Sequence, residues 1–361
     1  MQRAAVTGSP IWLLVVVFLG AGAAIWIAGI ALSDQTDVLT MRLGLGSALG
    51  GLVLLAVATN LPEIAIVTSA ALSDNIGVAV GNILGGIAIQ TVVLVFLDAF
   101  GVRGDKPLTY RAASLVLVLE AALVVTVLAI VIGGTQMPEW LLTARLTPAP
   151  VLIAVVWVFG LLLLRRAEQS LPWHESGQPP DGQQQPRGHR TDMTEQQATD
   201  AGTSTARSAT IFAAAAAVTL IAGVFLERSG DAIADHVGLS GVLFGATVLA
   251  AATSLPELST GLRSVRHGDY QLAVSDIFGG NAFLPVLFLP ATLLSGHAVL
   301  PAAQRTDIYL TALGIVMTLI YATGLLFRPR RRIARLGPDS LAVLVVYVLG
   351  MVGLFTVSNM R

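Results

Sequence analysis

Four acidic residues lie well inside long apolar stretches of this sequence: Glu63, Glu120, Glu257 and Asp276. No lysine or arginine lies at a comparable depth in those stretches. A charged side chain at the centre of a lipid bilayer costs at least about 2.5–3.5 kcal/mol, and such side chains normally face a cavity or a partner. Because no basic partner is available, this pattern indicates that the carboxylates bind a cation or a proton.

Glu63 and Glu257 are the strongest pair because they occupy equivalent positions of an internal repeat. The first copy reads ATNLPE and the second reads ATSLPE, at an offset of 194 residues, the difference between 257 and 63. In the 47 aligned positions from Gly44 to Gln90, 17 residues are identical. This similarity indicates a duplication. The alternative interpretation is that both glutamates are protonated and have only a structural role.

The neighbours of both glutamates supply further oxygens. In each copy a threonine precedes the glutamate by four residues, which places hydroxyl and carboxylate on one helix face. The motif proline has no N–H group, so the carbonyl four residues before it loses its helical partner. Such carbonyls, together with carboxylates and hydroxyls, are the oxygen ligands that Ca²⁺ prefers. The predicted cation-binding residues are Ala58, Thr59, Glu63, Ala252, Thr253 and Glu257. We expect Ca²⁺ as the metal ion held by the two glutamates.

The elements that must position these residues are membrane-spanning helices. The chain has 361 residues, of which 55% are hydrophobic and 12% charged, whereas a soluble domain carries about 25% charged residues. Apolar segments in lipid must be helical, because lipid offers no partner for backbone polar groups. We therefore predict an all-α polytopic membrane protein with ten transmembrane helices. The ten segments are 11–32, 44–72, 76–98, 112–133, 149–165, 209–226, 239–265, 270–296, 307–328 and 339–358.

Composition also excludes several kinds of site. The chain has no cysteine, which excludes disulfides, thiolate zinc sites and iron–sulfur clusters. Its formal net charge of −1 gives no electrostatic case for binding nucleic acid. We expect no cofactor and no obligate protein partner, and we expect inorganic cations and the lipid bilayer as the binding partners.

A polar segment divides the chain into two halves of five helices. Residues 166–208 are rich in Gln, Pro, Gly, Thr and charge, which is typical of a flexible linker. The predicted units are a first five-helix repeat at 1–165, this linker, and a second five-helix repeat at 209–361. A duplicated unit with an odd number of crossings inserts in opposite orientations, as in the inverted repeats of secondary transporters. A duplicated scaffold without transport is the alternative.

Basic residues predict the orientation of the chain. With both termini on one side, the loops on the opposite side hold 16 of the 21 Lys and Arg residues. The positive-inside rule then places the 166–208 linker in the cytoplasm and both termini outside. We expect an integral membrane protein of the plasma membrane.

The two motifs and the segments that follow them resemble the α-repeats of the calcium/cation antiporter superfamily, whose best-known branch is the sodium/calcium exchangers. ATNLPE is followed by AVGNILGG, and ATSLPEL is followed at the same distance by AVSDIFGGN. The resemblance implies that the motif glutamates bind calcium in alternation with a coupling cation, and that the motif threonines contribute oxygens. It implies no enzymatic activity.

The chain departs from the family at the positions of several sodium ligands. Gly86 and Gly280 stand where the family usually has serine, and Leu284 stands where the exchangers place Asn or Asp. Conversely, Asp276 replaces the usual asparagine of the second repeat. The possible second-ion or proton site comprises Asn60, Asn82, Gln90, Ser254, Asp276 and Asn281. Crowded carboxylates at low dielectric favour protonation, so protons are slightly preferred over sodium as the returning species.

The sequence therefore predicts a secondary-active cation antiporter that exchanges Ca²⁺ for H⁺ or Na⁺ by alternating access. A Na⁺/H⁺ or other monovalent cation exchanger on the same scaffold is an alternative. A cation channel is another alternative, although a pseudo-symmetric site within one chain favours a carrier. A membrane-embedded enzyme is the third alternative. Against it, the sequence shows no midmembrane histidine, no paired aspartates and no Ser–Lys pair. Glu120, outside the shared motifs, is either a proton relay or a protonated structural acid.

Overall fold

The computed structural model describes residues 10–42, 57–137, 146–169, 204–266 and 268–359, and these residues are almost entirely helical. We number the helices in chain order. They are α1 (Ile11–Arg42), α2 (Leu61–Leu72), α3 (Ile76–Phe96), α4 (Leu108–Ala112), α5 (Leu115–Thr135), α6 (Pro148–Gln169), α7 (Thr205–Val237), α8 (Gly241–Thr253), α9 (Leu255–Arg266), α10 (Tyr270–Phe283), α11 (Phe288–Ser295), α12 (Arg305–Phe327) and α13 (Pro338–Asn359).

The predicted membrane architecture is confirmed in its main features. In the described residues, eight helices are long and apolar enough to cross a membrane, and the bent pair α8–α9 forms a ninth candidate span. The remaining predicted segment, 44–72, lies partly outside the described residues, so the count of ten stays a prediction. Its described part is a helical stretch at 57–59 and the short helix α2.

Helix boundaries differ from the predicted segments at the linker. α6 continues to Gln169 and α7 begins at Thr205, so both helices extend into the predicted linker at 166–208. Hydropathy marks the part of a helix that crosses lipid, whereas charged residues such as Arg165 and Arg166 are good helix formers beyond it. The remainder of the predicted linker, 170–203, lies outside the described residues.

Both motif helices break at the residue before the Leu-Pro-Glu sequence. The break falls at Asn60 in the first repeat and at Ser254 in the second, which are equivalent positions. Both residues have backbone angles near φ −90° and ψ 0° (φ −91°, ψ 14° and φ −82°, ψ 1°), the sparsely allowed bridge region. Pro62 and Pro256 cause the break, because a proline cannot donate the helical hydrogen bond. In the second repeat the bend between α8 and α9 is 41°.

The long helices α1 and α7 each pack against the motif helix of the opposite repeat. A Cβ atom built on Gly29 of α1 would lie 2.8 Å from Pro256 Cβ, and one built on Gly223 of α7 would lie 2.7 Å from Ala65 Cβ and 3.3 Å from the Pro62 carbonyl oxygen. Gly29 and Gly223 are again 194 residues apart. Reciprocal contacts of this kind are the signature of a two-fold relation, so the repeats are related by a pseudo-two-fold axis.

Small residues bring the central helices of the two repeats into close contact. Gly81 and Gly85 of α3 lie against the backbone of Val242 and Ala246 in α8, and a Cβ atom on Gly81 would lie 2.6 Å from the Val242 carbonyl oxygen. Close backbone approach through glycine is typical of helix pairs in membranes. The result is a core in which α3 and α8 from different repeats enclose the motif glutamates.

Candidate cation-binding site

The two motif glutamates lie in the first turns of α2 and α9, directly after the helix breaks. Glu63 is 0% exposed and Glu257 is 2% exposed. The N-terminal end of a helix carries partial positive charge, which favours an ionised carboxylate there. The proline-induced breaks therefore do two things: they place each carboxylate at a helix N-terminus and they interrupt the backbone ladder beside it.

Side chains from both repeats converge on these carboxylates. Thr253 and Gln90 face the Glu63 carboxylate. The charges of Glu63 and Asp276 both act on Glu257. The structure thus brings together five residues that the sequence analysis named, across a separation of about half the chain.

The buried polar atoms at this centre are poorly satisfied by protein donors. Neither carboxylate oxygen of Glu63 or Glu257 reaches hydrogen-bonding geometry with a partner in the described residues, and the same holds for the amide atoms of Asn82 and Gln90. Buried polar groups are almost always paired, because an unpaired one costs free energy. A cluster of unsatisfied oxygens is the arrangement expected where a cation, a proton or water completes the hydrogen bonding.

The other predicted ligands differ in their burial and in their hydrogen bonds. Thr59 and Thr253 are 3% and 0% exposed. The hydroxyls of Thr253 and Ser254 donate to the Ala250 carbonyl at 3.2 and 2.8 Å, which leaves their oxygen lone pairs available. Ala58 is buried whereas Ala252 is half-buried.

The residues of the possible second-ion site divide into those beside the carboxylates and those further away. Asn60 and Gln90 both lie next to Gly280: a Cβ atom there would be 3.3 Å from Asn60 Nδ2 and 3.2 Å from Gln90 Oε1. Asn281 instead donates through Nδ2 to Thr91 Oγ1 at 3.1 Å. Asn281 therefore ties α10 to α3.

Asp276 lies on α10, and Glu120 of α5 contacts the residue next to it. The Thr260 hydroxyl donates to Asp276 Oδ2 at 3.3 Å, and Asp276 is half-buried. The Ser275 hydroxyl donates to Glu120 Oε1 at 2.8 Å, and Glu120 is 2% exposed. Glu120 thus contacts the residue adjacent to Asp276 and joins α5 to α10.

The sequence analysis missed four further buried acids. Their common feature is a place near the end of an apolar segment, where hydropathy alone does not distinguish a buried carboxylate from a solvated one. They are Asp98, Glu227, Asp307 and Asp339. Glu227 accepts a hydrogen bond from the Ser69 hydroxyl at 2.9 Å, and Asp98 accepts from the backbone N–H groups of Leu108 at 2.8 Å and Gly337 at 2.6 Å.

Metal binding at this centre would depend on neutral oxygens as well as carboxylates. Within the described residues, no group of three or more His, Cys, Asp or Glu side chains is placed to hold a metal ion. Two carboxylates, hydroxyls, amide oxygens and carbonyls remain as the donor set. Oxygen-only donors fit hard cations such as Ca²⁺.

This chain is similar in sequence or in fold to several known membrane transport proteins and membrane proteins. The inner membrane protein YrbG of Escherichia coli (strain K12) is 26% identical over 275 residues, which cover 75% of this chain and 77% of YrbG. The crystal structure of the H⁺/Ca²⁺ exchanger CAX matches with a TM-score of 0.66 at 12% identity, over 99% of this chain and 93% of CAX. A structure of the sodium–calcium exchanger NCX_Mj matches with a TM-score of 0.59 at 16% identity, over 97% of this chain and 99% of the other.

The family model named sodium/calcium exchanger protein matches residues 13–173 and 207–356. The two matched ranges correspond to the two halves of the chain, and together they include both glutamate motifs. This chain therefore belongs to the sodium/calcium exchanger protein family.

Proposed function

We propose that this protein is a secondary-active antiporter that binds Ca²⁺ between Glu63 and Glu257. The observation that carries the proposal is the meeting of two buried carboxylates from opposite repeats, whose four oxygens reach hydrogen-bonding geometry with no partner in the described residues. Two negative charges balance one Ca²⁺ ion. Thr59, Thr253 and the carbonyls of Ala58 and Ala252 are the proposed additional ligands.

Obligatory exchange follows from the cost of the empty site. A site with two uncompensated carboxylates cannot cross easily between inward-facing and outward-facing states, because buried unpaired charge is expensive in lipid. A calcium ion, or protons on the carboxylates, removes that charge. The protein therefore alternates between a calcium-loaded form and a form loaded with the coupling ion.

Protons are the proposed coupling ion. Asp276 adds a third carboxylate whose charge acts on Glu257, and neighbouring negative charges favour protonation. The likeness to the H⁺/Ca²⁺ exchanger CAX is compatible with this assignment. The likeness to NCX_Mj makes sodium the alternative that the experiment must test.

The remaining features of the proposal come from the sequence. The two membrane units are 1–165 and 209–361, and the linker at 166–208 is a cytoplasmic tether. The protein lies in the plasma membrane, with both termini on the outer side. The protein needs no cofactor and no obligate protein partner, and it catalyses no covalent chemistry.

The direct test is calcium uptake into proteoliposomes under defined gradients. Two conditions are compared: a pH gradient without sodium, and a sodium gradient under clamped pH. We expect calcium uptake under the pH gradient alone. We expect Asp276→Asn, which restores the residue type of the equivalent Asn82, to slow proton-driven uptake. Uptake that follows only the sodium gradient, and that survives Asp276→Asn, would identify an ordinary sodium-coupled exchanger instead.

A further inference from the structure

Two strongly basic loops, one from each repeat, lie together at one end of the helix bundle. Residues 102–114 and 328–337 each fill the whole interval between two membrane-spanning helices. Together they hold eight basic residues and one acidic residue, Asp105. Loops that begin where a span ends lie at the level of the lipid headgroups, which flank the hydrocarbon core. A large positive charge is therefore placed beside the headgroups of one leaflet.

Hydrogen bonds of Arg332 hold the two loops against each other. Its Nη1 atom donates to the carbonyl oxygens of Val102 at 3.2 Å and Gly104 at 3.1 Å. Within the second loop, the backbone groups of Ile333 and Leu336 exchange hydrogen bonds of 2.7 and 2.9 Å. Arg332 is thus committed to the protein backbone, and the loop that carries it has a defined shape.

Aromatic contacts bring further positive charges of the two loops together. The Tyr110 ring lies under the Arg328 guanidinium, 4.8 Å from Cζ to the ring centroid, and 5.7 Å from the Lys106 ammonium nitrogen. Cation–π contacts of this kind are attractive but leave both cations charged. The loops therefore concentrate like charges that an anion between or beside them would stabilise.

Four further arginines of these loops are exposed, and we call them the basic patch: Arg103, Arg330, Arg331 and Arg335. In the part of the chain that the structure describes, none of the four forms an ion pair with a carboxylate. Guanidinium groups bind phosphate oxygens well, because their planar donors match two oxygens at once. The chemistry of the patch is thus that of a phosphate-binding surface.

Exposed apolar side chains beside the basic patch distinguish a lipid from a soluble anion. Phe327 is 82% exposed and directly precedes the second loop, and Ile333 is 54% exposed within it. A soluble phosphate gains nothing from these side chains, whereas the acyl chains of a phospholipid would cover them. Apolar side chains flanked by basic residues are typical of surfaces that lie in the headgroup region.

We propose that the basic patch binds the headgroup of an anionic phospholipid, with the acyl chains beside Phe327 and Ile333. The bound lipid then strengthens the contact between the loops of the two repeats. This inference does not depend on which ions the site at Glu63 and Glu257 carries.

The test is the binding of phosphatidylglycerol to the purified full-length protein in a neutral detergent, followed by native mass spectrometry and by the thermal unfolding midpoint. We expect the wild-type protein to retain phosphatidylglycerol in preference to phosphatidylcholine, and to unfold at a higher temperature with it. The triple variant Arg330→Gln, Arg331→Gln, Arg335→Gln should bind phosphatidylglycerol roughly a hundredfold more weakly, because it loses three cations near an anionic surface.

A matched control removes the same charge elsewhere. Arg165→Gln, Arg166→Gln, Arg207→Gln changes three arginines that are also exposed but lie outside the two loops, and its binding should equal that of the wild-type protein. Equal weakening in both triple variants would overturn the proposal in favour of diffuse attraction. Equal retention of the two lipids by the wild-type protein would overturn it even if a variant fails to fold.

A second arm separates lipid from soluble anion. We expect glycerol 3-phosphate, which carries a phosphate without acyl chains, neither to displace phosphatidylglycerol nor to raise the unfolding midpoint. Ile333→Ser should weaken lipid binding while all the arginines remain. Displacement by glycerol 3-phosphate, together with unchanged binding in Ile333→Ser, would identify a site for soluble phosphate and refute the lipid assignment.

Discussion

Glu63 and Glu257 are the same residue in two copies of one motif, yet different side chains surround them. Glu63 faces the neutral amide of Gln90, whereas Glu257 lies beside the carboxylate of Asp276. Negative charge is therefore concentrated on the second-repeat side of the site.

The first prediction concerns the two glutamates. Glu63→Gln and Glu257→Gln each keep the side-chain size and remove one of the two charges that balance Ca²⁺. We expect either change to reduce calcium flux to background in proteoliposomes, with normal insertion and a normal elution profile in detergent. Glu227→Gln is the control, because it makes the same change at a buried acid that contacts Ser69 instead of the site. Wild-type flux in either motif variant would contradict the two-carboxylate site.

The residues of the site were more predictable than their pairing. The repeated motif identified Glu63, Thr253 and Glu257, because polar residues at equivalent depths of two apolar segments indicate a shared functional role. The crosswise contact of Gly280 with Gln90 could not be predicted, because it depends on how two helices of different repeats pack. Glu227 escaped notice because it lies just beyond an apolar segment and is buried by a neighbouring helix rather than by its own sequence context.

Two helices, α1 and α7, connect the repeats at the level of the site. Gly29 and Gly223 let them approach the motif prolines Pro256 and Pro62. Further along the same helices, polar contacts follow: Glu227 of α7 binds Ser69, and Asp34 of α1 forms an ion pair with Arg263. Ser69 and Arg263 are equivalent positions of the repeat. The two halves therefore make a polar contact at the same place, a hydrogen bond in one half and an ion pair in the other.

The second prediction tests that close approach. Gly29→Ala and Gly223→Ala each place a Cβ atom less than 3.0 Å from a neighbouring carbon, and overpacking of this kind costs about 1–3 kcal/mol. We expect lower maximal flux and a lower thermal midpoint in detergent for both variants. Gly20→Ala is the matched control on α1, because a Cβ atom there meets nothing within 4 Å. Equal behaviour of all three variants would show that the contacts do not constrain the helices.

The third prediction concerns a tie between the two halves away from the site. Asp98 is 0% exposed and accepts hydrogen bonds from two backbone N–H groups of different repeats: Leu108 N, at the start of α4, and Gly337 N, directly before α13. Asp98→Ala would strand both donors, at about 1–3 kcal/mol each. We expect a clear fall in the thermal unfolding midpoint in detergent. The ion pair of the exposed Asp105 with Lys106 contributes little, so Asp105→Ala should leave the midpoint unchanged. Similar midpoints for the two variants would contradict the tie.

Hydropathy predicted where the helices lie but not how they are interrupted. The predicted segments 76–98, 307–328 and 339–358 agree with α3, α12 and α13 within a few residues. The π-helical turn Gly245–Leu249 within α8 and the 3₁₀ turn Leu284–Leu287 after α10 leave no hydropathy signal. Such irregularities arise from packing and from proline, and π-turns are frequent at functional sites.

At the scale of the whole molecule, the basic residues predict a single orientation in the membrane. The fourth prediction is that a tag inserted between Gly182 and Gln184, outside the described residues, is reachable only from the cytoplasm. The physical reason is the concentration of 16 of the 21 basic residues on that side. Antibody labelling of intact and permeabilised cells measures it. Labelling of intact cells would reverse the assignment of inward-facing and outward-facing gates.

The central claim is that one calcium ion displaces protons from carboxylates contributed by both repeats. The most direct measurement is the number of protons released per Ca²⁺ bound by the purified protein in weakly buffered detergent solution. We expect one Ca²⁺ per chain, proton release that falls as the starting pH rises, and no calcium-dependent release in the Glu63→Gln, Glu257→Gln double variant. Calcium binding that releases no proton at any starting pH, or that persists in the double variant, would contradict this account.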